Sequence, residues 1–442
     1  MNDSRYLSAL DWKAAGFSAL AAWLIFYATL APTVTLEYSG QLVVAADHLG
    51  VARPPGYPVW TLLAKGFICL FPSTEFQGYP NPARAVHFMS AVFGALSAGL
   101  LALLACRLAR ETDPAPSRPD SWLCASAGIS AALLFAVSPA MWSQSVIAET
   151  HSLTVFYFLL LLALSLRWMA RRDAASPFLL AFLSGLGLSI SPLLILFLPV
   201  LLAAAAKVSV QAFIRMAAAA LLFVAFLLAE FTWGPPRPGI ANGVLAAAML
   251  ALTVLLALLG ILFRRSRSTG LFLLLLLAGL LPYLYLPLAA ARHPPMNMGH
   301  ADSWEGFWHV VRRGQYEALV FVNPFQDPRA FSLQLAAYVR LAASQFTAPV
   351  AALALLPAFS LPRLPRPARS SVHLLLLAFF CFAVVVGAGA NLPLDVQNTW
   401  LGRVLFIPSF ALLALLAGIG LSLLLRVILR PRQSRPNPSS EP

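Results

Sequence analysis

The chain has 442 residues, 60% of them hydrophobic and 11% charged, where soluble domains run at about 45–50% apolar and 25% charged. That excludes an ordinary soluble enzyme, a disordered protein and a small disulfide scaffold. The net charge of +13 sits on a chain with repeated apolar runs long enough to cross a bilayer, so it reads as the Lys/Arg excess of cytoplasmic loops, and no nucleic-acid partner is expected.

The first apolar stretch, Ala14 to Ala31, follows Lys13. Because more spans follow it, it is read as an uncleaved first helix and not as a signal peptide. Further spans are expected over about 85–106, 122–138, 152–168, 210–232, 244–263, 271–290, 346–361, 372–390 and 404–425. The thirty apolar residues 177–206 are broken by Ser189-Ile190-Ser191-Pro192. At 1.5 Å per residue they reach about 45 Å, too little for two full crossings, so two short or tilted helices in a hairpin are expected.

Charge placement supports the hairpin. If it returns to its starting side there are about twelve spans, with both termini cytoplasmic and twenty Lys/Arg on inner segments against ten on outer ones. A single crossing would put Arg264, Arg265 and Arg267 outside, against the positive-inside bias. The expected fold class is therefore all-α: a polytopic transmembrane domain over 1–429, large outer loops with interfacial helices, and a Pro/Ser-rich disordered cytoplasmic tail over 430–442. Cys69, Cys106, Cys124 and Cys381 have no metal-ligand spacing and are read as buried free thiols, so no disulfide, metal or other cofactor is expected.

Candidate chemistry lies in the outer segments. The first, TVTLEYSGQLVVAADHLGVARPPGYPVW, puts Glu37 just after the first helix and a rigid Pro-rich turn around Arg53 and Tyr57. Glu37 is either a solvated interfacial charge or an acid held at the membrane surface. Asp47 and His48 read more readily as solvated. The apolar piece Val59 to Phe71, interrupted by Lys65, is short for a span and is expected to be interfacial or re-entrant.

The second segment, SPAMWSQSVIAETHSLTVF, brings Glu149 and His151 to the start of the next span. The third, ARHPPMNMGHADSWEGFWHVVRRGQYEALV, places Trp304, Phe307, Trp308 and Val311 at helical spacing as an interfacial face. Arg312 and Arg313 follow. Arginine on the outer side either snorkels to headgroups or binds a specific anion, and its planar fork suits a lipid phosphate. The last outer loop, NLPLDVQNTWLGRV, offers Asp395, Gln397, Asn398 and Arg403. No phosphate-binding Gly loop, zinc signature or hydrolase elbow occurs. The spans carry almost no charge, which weighs against an ion-coupled transporter or a channel.

These loops resemble the bacterial branch of domain-of-unknown-function family 2723, relatives of the eukaryotic polytopic protein O-mannosyltransferases of GT-C architecture. The matching stretches, in order, are APTVTLEYSGQL with LGVARPPGYP, SPAMWSQSVIAETHSL, LYLPLAAARHPPMNMG with SWEGFWHVVRRGQY, and more weakly NLPLDVQNTWLGRVLFIPSF. The resemblance implies a bacterial inner-membrane glycosyltransferase with its active face outside the cytoplasm. It would move a sugar, mannose among the candidates, from a polyprenyl-phosphate carrier to the hydroxyl of a protein or other acceptor.

It further implies Glu37 as the catalytic base. Asp47, His48, Arg53, Tyr57, Glu149, Asn297, Arg312, Arg313, Gln315, Tyr316 and Arg403 become candidate substrate contacts. The two arginines are assigned to the carrier phosphate, and Gln315 and Tyr316 to the sugar or carrier. The family pattern has acids where this chain has Tyr38 and Gln41, and a histidine where it has Arg53, so Glu37 stands one residue from the expected acid. The alternatives are a non-catalytic relative that binds lipid-linked sugar or assists a partner transferase and, ranked lower, a lipid or solute transporter.

Overall fold

The computed structural model describes residues 7–72, 75–113, 121–232, 254, 267–314 and 322–429. The span expected at 244–263 (apart from Val254), Arg264, Arg265, Gln315, Tyr316 and the 430–442 tail lie outside the described residues.

Helix α1 (Ala9–Ala28) starts from a capping box: the Asp11 N–H donates to Ser8 Oγ at 3.3 Å and the Ser8 N–H to the Asp11 carboxylate at 2.6 Å. Two short helices follow, α2 (Ser39–Asp47) and α3 (Pro58–Leu70), which join the core through Leu42, Val43 and Trp60. A two-stranded turn, Glu75–Phe76 with Tyr79–Pro80, leads into α4 (Pro82–Glu111). Next come α5 (Ser121–Ala136), α6 (Pro139–Ser145) and α7 (His151–Arg171). The 177–206 region forms α8 (Ser176–Leu188) and α9 (Leu198–Val208), joined by a break and a 3-10 turn.

The second half holds α10 (Val210–Thr232), α11 (Arg267–Ala278), α12 (Tyr285–Ala290), α13 (Trp304–Val311), α14 (Pro328–Gln345), α15 (Ala348–Phe359), α16 (Arg366–Phe379), α17 (Val386–Ala390), α18 (Val396–Gly402) and α19 (Ile407–Leu429). The expected span at 346–361 is one arm of a bend of 114° between α14 and α15. Among the described residues six helices are long and apolar enough to cross a membrane, or eight if each bent pair is one span.

Small residues let these helices approach closely. A Cβ on Gly128 of α5 would collide with Cys106 and Ala102 of α4, and one on Gly420 of α19 with the Leu353 carbonyl of α15. The core runs through α4, α7, α9, α16 and α19, around Phe135, Phe158, Phe197, Phe382 and Phe410. Outward-facing positions are apolar too: Trp12, Phe17, Leu20 and Leu24 of α1 are all exposed, as lipid-facing helices require.

The two ends of α4 gather different partners. At its C-terminal end Arg110 pairs with Asp11 at 2.7 Å, Glu111 accepts from Ser371 Oγ at 2.7 Å, and Arg426 donates to Thr112 Oγ1 at 2.8 Å. At its N-terminal end Asn81 donates to the Pro32 carbonyl at 2.7 Å, and the His87 ring lies 3.0 Å from the Ala31 carbonyl. The chain thus alternates between two faces, and the first, second and last loops read as outer meet at one of them.

Candidate functional site

Three separate turns build the site. The first is the loop after α1, where Glu37 adopts φ 68°, a left-handed conformation uncommon for a residue with a Cβ. Its carboxylate is exposed, and Oε2 accepts from Gln144 Nε2 at 3.3 Å. The second is the Pro-rich turn that carries Arg53. The guanidinium lies 3.7 Å from the Tyr38 ring centroid and 5.7 Å from that of Tyr57, a cation–π arrangement. It also reaches Glu149 Oε2 at 3.5 Å.

The third is the turn between α6 and α7. Glu149 is 2% exposed, and its Oε2 accepts the Thr150 N–H at 3.2 Å. Its backbone carbonyl accepts from the indole of Trp60 at 3.1 Å, so α3 braces this turn. Glu149 Oε1 has no partner among the described residues. Burial holds this carboxyl above the ordinary range; Arg53 and the Thr150 and Tyr38 N–H groups pull it back, and the neighbouring Glu37 pushes it up. His151 Nε2 lies 4.0 Å from Glu149 Oε2.

The last outer loop adds a cation. Arg403 is 5% exposed; it donates to the Trp400 carbonyl at 2.7 Å and to Ser143 Oγ at 3.3 Å, and it lies 3.4 Å from the Trp400 ring centroid. The charges of Glu37 and Arg403 act on each other. Glu37, Arg53, Tyr57, Glu149 and Arg403, drawn from across the chain, are therefore linked in one cluster.

The third outer segment joins through its backbone. The Val51 N–H donates to the Met296 carbonyl at 2.8 Å and the Met298 N–H to the Val51 carbonyl at 3.2 Å, a parallel bridge between Val51 and Asn297. Gly50 permits this, because a Cβ there would collide with the Met296 carbonyl. Asn297 Oδ1 is buried without a partner among the described residues.

Helix α13 is held to the same turn by the apolar cluster of Val310 and Val51. Its Trp304, Phe307 and Trp308 rings pack together, as their spacing suggests, with centroids 5.3–6.3 Å apart, but the residue it buries most is Val310 and not Val311. Arg312 is half-buried over Trp308, and Arg313 is exposed.

Other expected site residues lie elsewhere. Asp47 pairs with Lys65 at 3.2 Å, binding α2 to α3, and His48 is exposed at the end of α2. Asp395 caps α18, accepting the Asn398 N–H at 2.9 Å. Cys69 is exposed at the end of α3, unlike the three buried cysteines, because α3 lies at the surface there. Sequence reasoning missed Gln144, Ser143, Trp60 and Trp400 as site residues. The available signal was the row of polar side chains, WSQS, placed between two apolar spans.

Fold and site define an integral membrane protein of packed helices whose turns at one end gather acids and arginines. A family model described as the protein O-mannosyl-transferase TMEM260 N-terminal domain matches residues 39–213. That range contains Arg53, Gln144 and Glu149 but not Glu37 or Arg403. The chain is 27% identical over 431 residues to the mouse protein O-mannosyl-transferase TMEM260, covering 94% of this chain and 50% of the mouse protein. The Dictyostelium discoideum protein O-mannosyl-transferase tmem260 is 26% identical over 152 residues, 34% of this chain and 16% of its own length. The chain therefore spans half or less of the length of these curated relatives. Among solved structures, ArnT from Cupriavidus metallidurans bound to undecaprenyl phosphate aligns with a TM-score of 0.50 at 13% identity, over 93% of this chain and 60% of ArnT. That likeness is one of fold.

Proposed function

We propose that the protein is an integral membrane glycosyltransferase. It moves a sugar, mannose in the favoured form, from a polyprenyl-phosphate carrier to a hydroxyl of a protein or another acceptor. The observation that carries this reading is the gathering of Glu37, Arg53, Glu149 and Arg403 at one end of the bundle. The names of the relatives support mannose and a protein acceptor.

The chemistry follows from the groups present. The acceptor hydroxyl sits against the exposed Glu37 carboxylate and gives up its proton as its oxygen attacks the anomeric carbon. The bond from that carbon to the phosphate oxygen breaks, and its electron pair stays on the carrier phosphate. Arg403, with Arg312 and Arg313 from the third loop, answers the charge on that phosphate. Glu149, one oxygen of which has no hydrogen-bond partner among the described residues, receives a sugar hydroxyl. Arg53 and Tyr57 wall that subsite, and Asn297 offers a further acceptor beside it. Gln315 and Tyr316 remain proposed sugar or carrier contacts.

The finer placement in the bacterial branch of domain-of-unknown-function family 2723 belongs to the same proposal. So do an inner-membrane location, cytoplasmic termini, a non-cytoplasmic active face and a single membrane domain over 1–429. The ordered motifs and the Lys/Arg asymmetry support them.

Membranes or proteoliposomes given labelled mannosyl polyprenyl phosphate and a hydroxyl acceptor test the reading. The wild-type protein transfers label, and Glu37→Gln loses about 100- to 10,000-fold in rate while still binding donor. Donor binding without transfer across many acceptors would favour the binding-only relative. Label crossing sealed vesicles would favour a transporter.

A further inference from the structure

We propose that Gln144 is the positioning residue for Glu37. This deepens the reading of Glu37 as the base and rests on it. Gln144 is wholly buried on α6, a helix fixed at both ends. The Ala140 N–H donates to Gln345 Oε1 at 2.7 Å, and the Gln144 carbonyl accepts from Ser152 Oγ at 3.0 Å. Glu37, by contrast, is exposed, on a loop, and in the left-handed region. The side-chain bond between them, at 3.3 Å, ties an exposed acid on a loop to a buried donor on a helix.

The direction of that bond follows from chemistry. An ionised carboxylate only accepts, so the amide N–H must face it and the amide oxygen must face away. Gln144 Oε1 is buried and has no partner among the described residues. A glutamine with a purely structural task looks different. Gln345 has both ends engaged, its Oε1 with the Ala140 N–H and its Nε2 with Ser344 Oγ at 2.9 Å and the Leu341 carbonyl at 3.5 Å. Gln144 is half-used, and the half in use fixes where the Glu37 carboxylate sits.

Its neighbour completes the device. Ser143 accepts from Arg403 while Gln144 donates to Glu37. Consecutive residues of one short helix thereby set the spacing between the base and a cation. The charged groups acting around Glu37 are Arg403 from the last loop and Glu149 with its partner Arg53 from the other two turns.

The test uses Gln144→Leu, with Gln144→Met as a closer match in shape should Leu prevent folding, in the full-length protein in proteoliposomes. Losing a hydrogen bond to a charged group should cut kcat about 10- to 100-fold. KM for mannosyl polyprenyl phosphate should hold. In a Glu37→Gln background the same substitution should cost nothing further. Gln144→His, which restores a donor, should recover part of the rate.

A second readout needs no turnover. Carbodiimide labelling of Glu37 at one fixed pH, followed by mass spectrometry, should run faster in Gln144→Leu than in wild type, because the carboxylate is no longer held by the buried amide. Unchanged kcat together with an unchanged labelling rate overturns the proposal. A raised labelling rate in a protein that transfers no sugar leaves Gln144 as the positioning residue and removes the glycosyltransferase reading instead. Normal transfer by Glu37→Gln removes both.

Discussion

Asp11 and Glu149 are buried acids at opposite ends of the bundle, 0% and 2% exposed. Both carboxylate oxygens of Asp11 are occupied: Arg110 reaches them at 2.9 and 2.7 Å, and the Ser8 N–H adds a third bond. Nearby Glu111 is answered by Arg107 at 3.0 Å and by Ser371. At the other end Glu149 has one oxygen engaged and one without a hydrogen-bond partner within 3.5 Å among the described residues, its ion pair is long at 3.5 Å, and a second acid stands beside it. The Asp11 cluster satisfies its carboxylates and reads as a clamp between α1, α4, α16 and α19. The Glu149 cluster keeps acceptor capacity in reserve, which costs stability in the free protein and is useful once a polar ligand arrives.

The comparison can be broken from either side. The largest stability effect belongs to the clamp. Asp11→Ala leaves Arg110 without its carboxylate and should destabilise by about 3–5 kcal/mol, read as a fall in Tm in detergent, with transfer per folded molecule unchanged. An equal loss of transfer would make the inner end part of the site. Next, Gly50→Ala forces a Cβ onto the Met296 carbonyl. It should weaken donor binding by separating the first and third outer segments, with a smaller fall in Tm.

Glu149 gives the comparison a pH signature. Its folded carboxyl holds a proton to higher pH than the unfolded chain's, so the stability tied to that proton is present at low pH. It is lost as pH rises from about 4.3, the ordinary glutamate value, through the raised one. Glu149→Gln should abolish that decline, so that the Tm difference moves in the variant's favour with rising pH. Parallel Tm–pH curves for the two proteins would contradict the assignment. The smallest effect should be that of Asp47→Asn: the Lys65 pair is half-exposed and worth about 1 kcal/mol or less, and transfer should not change.

Much of this was legible in the residues. Apolar run lengths give the helices, and the break at Ser189-Ile190-Ser191-Pro192 falls where α8 ends. The charged loops give Glu37, Arg53, Glu149 and Arg403. What the chain hides is which loop residues meet. Arg53 and Glu149 are 96 positions apart, and Gln144 and Glu37 are 107 apart. Periodicity carries no information about such pairs. Asp47 and His48 looked like neighbours of Glu37 because they are near in sequence, yet α2 carries them to its far end. Arg312 reads from the sequence as a headgroup or anion contact; its stacking, half-buried, over Trp308 follows from the packing of α13 and is not legible in the spacing.

Photo-cross-linking with a diazirine-bearing polyprenyl phosphate, mapped by mass spectrometry, tests the central claim most directly. Label should fall on the turns around Glu37 to Tyr57, Ser143 to His151 and Trp400 to Arg403, and an excess of unmodified polyprenyl phosphate should compete it away. Label scattered over the lipid-facing helices, or concentrated around Asp11 and Arg110, would contradict it.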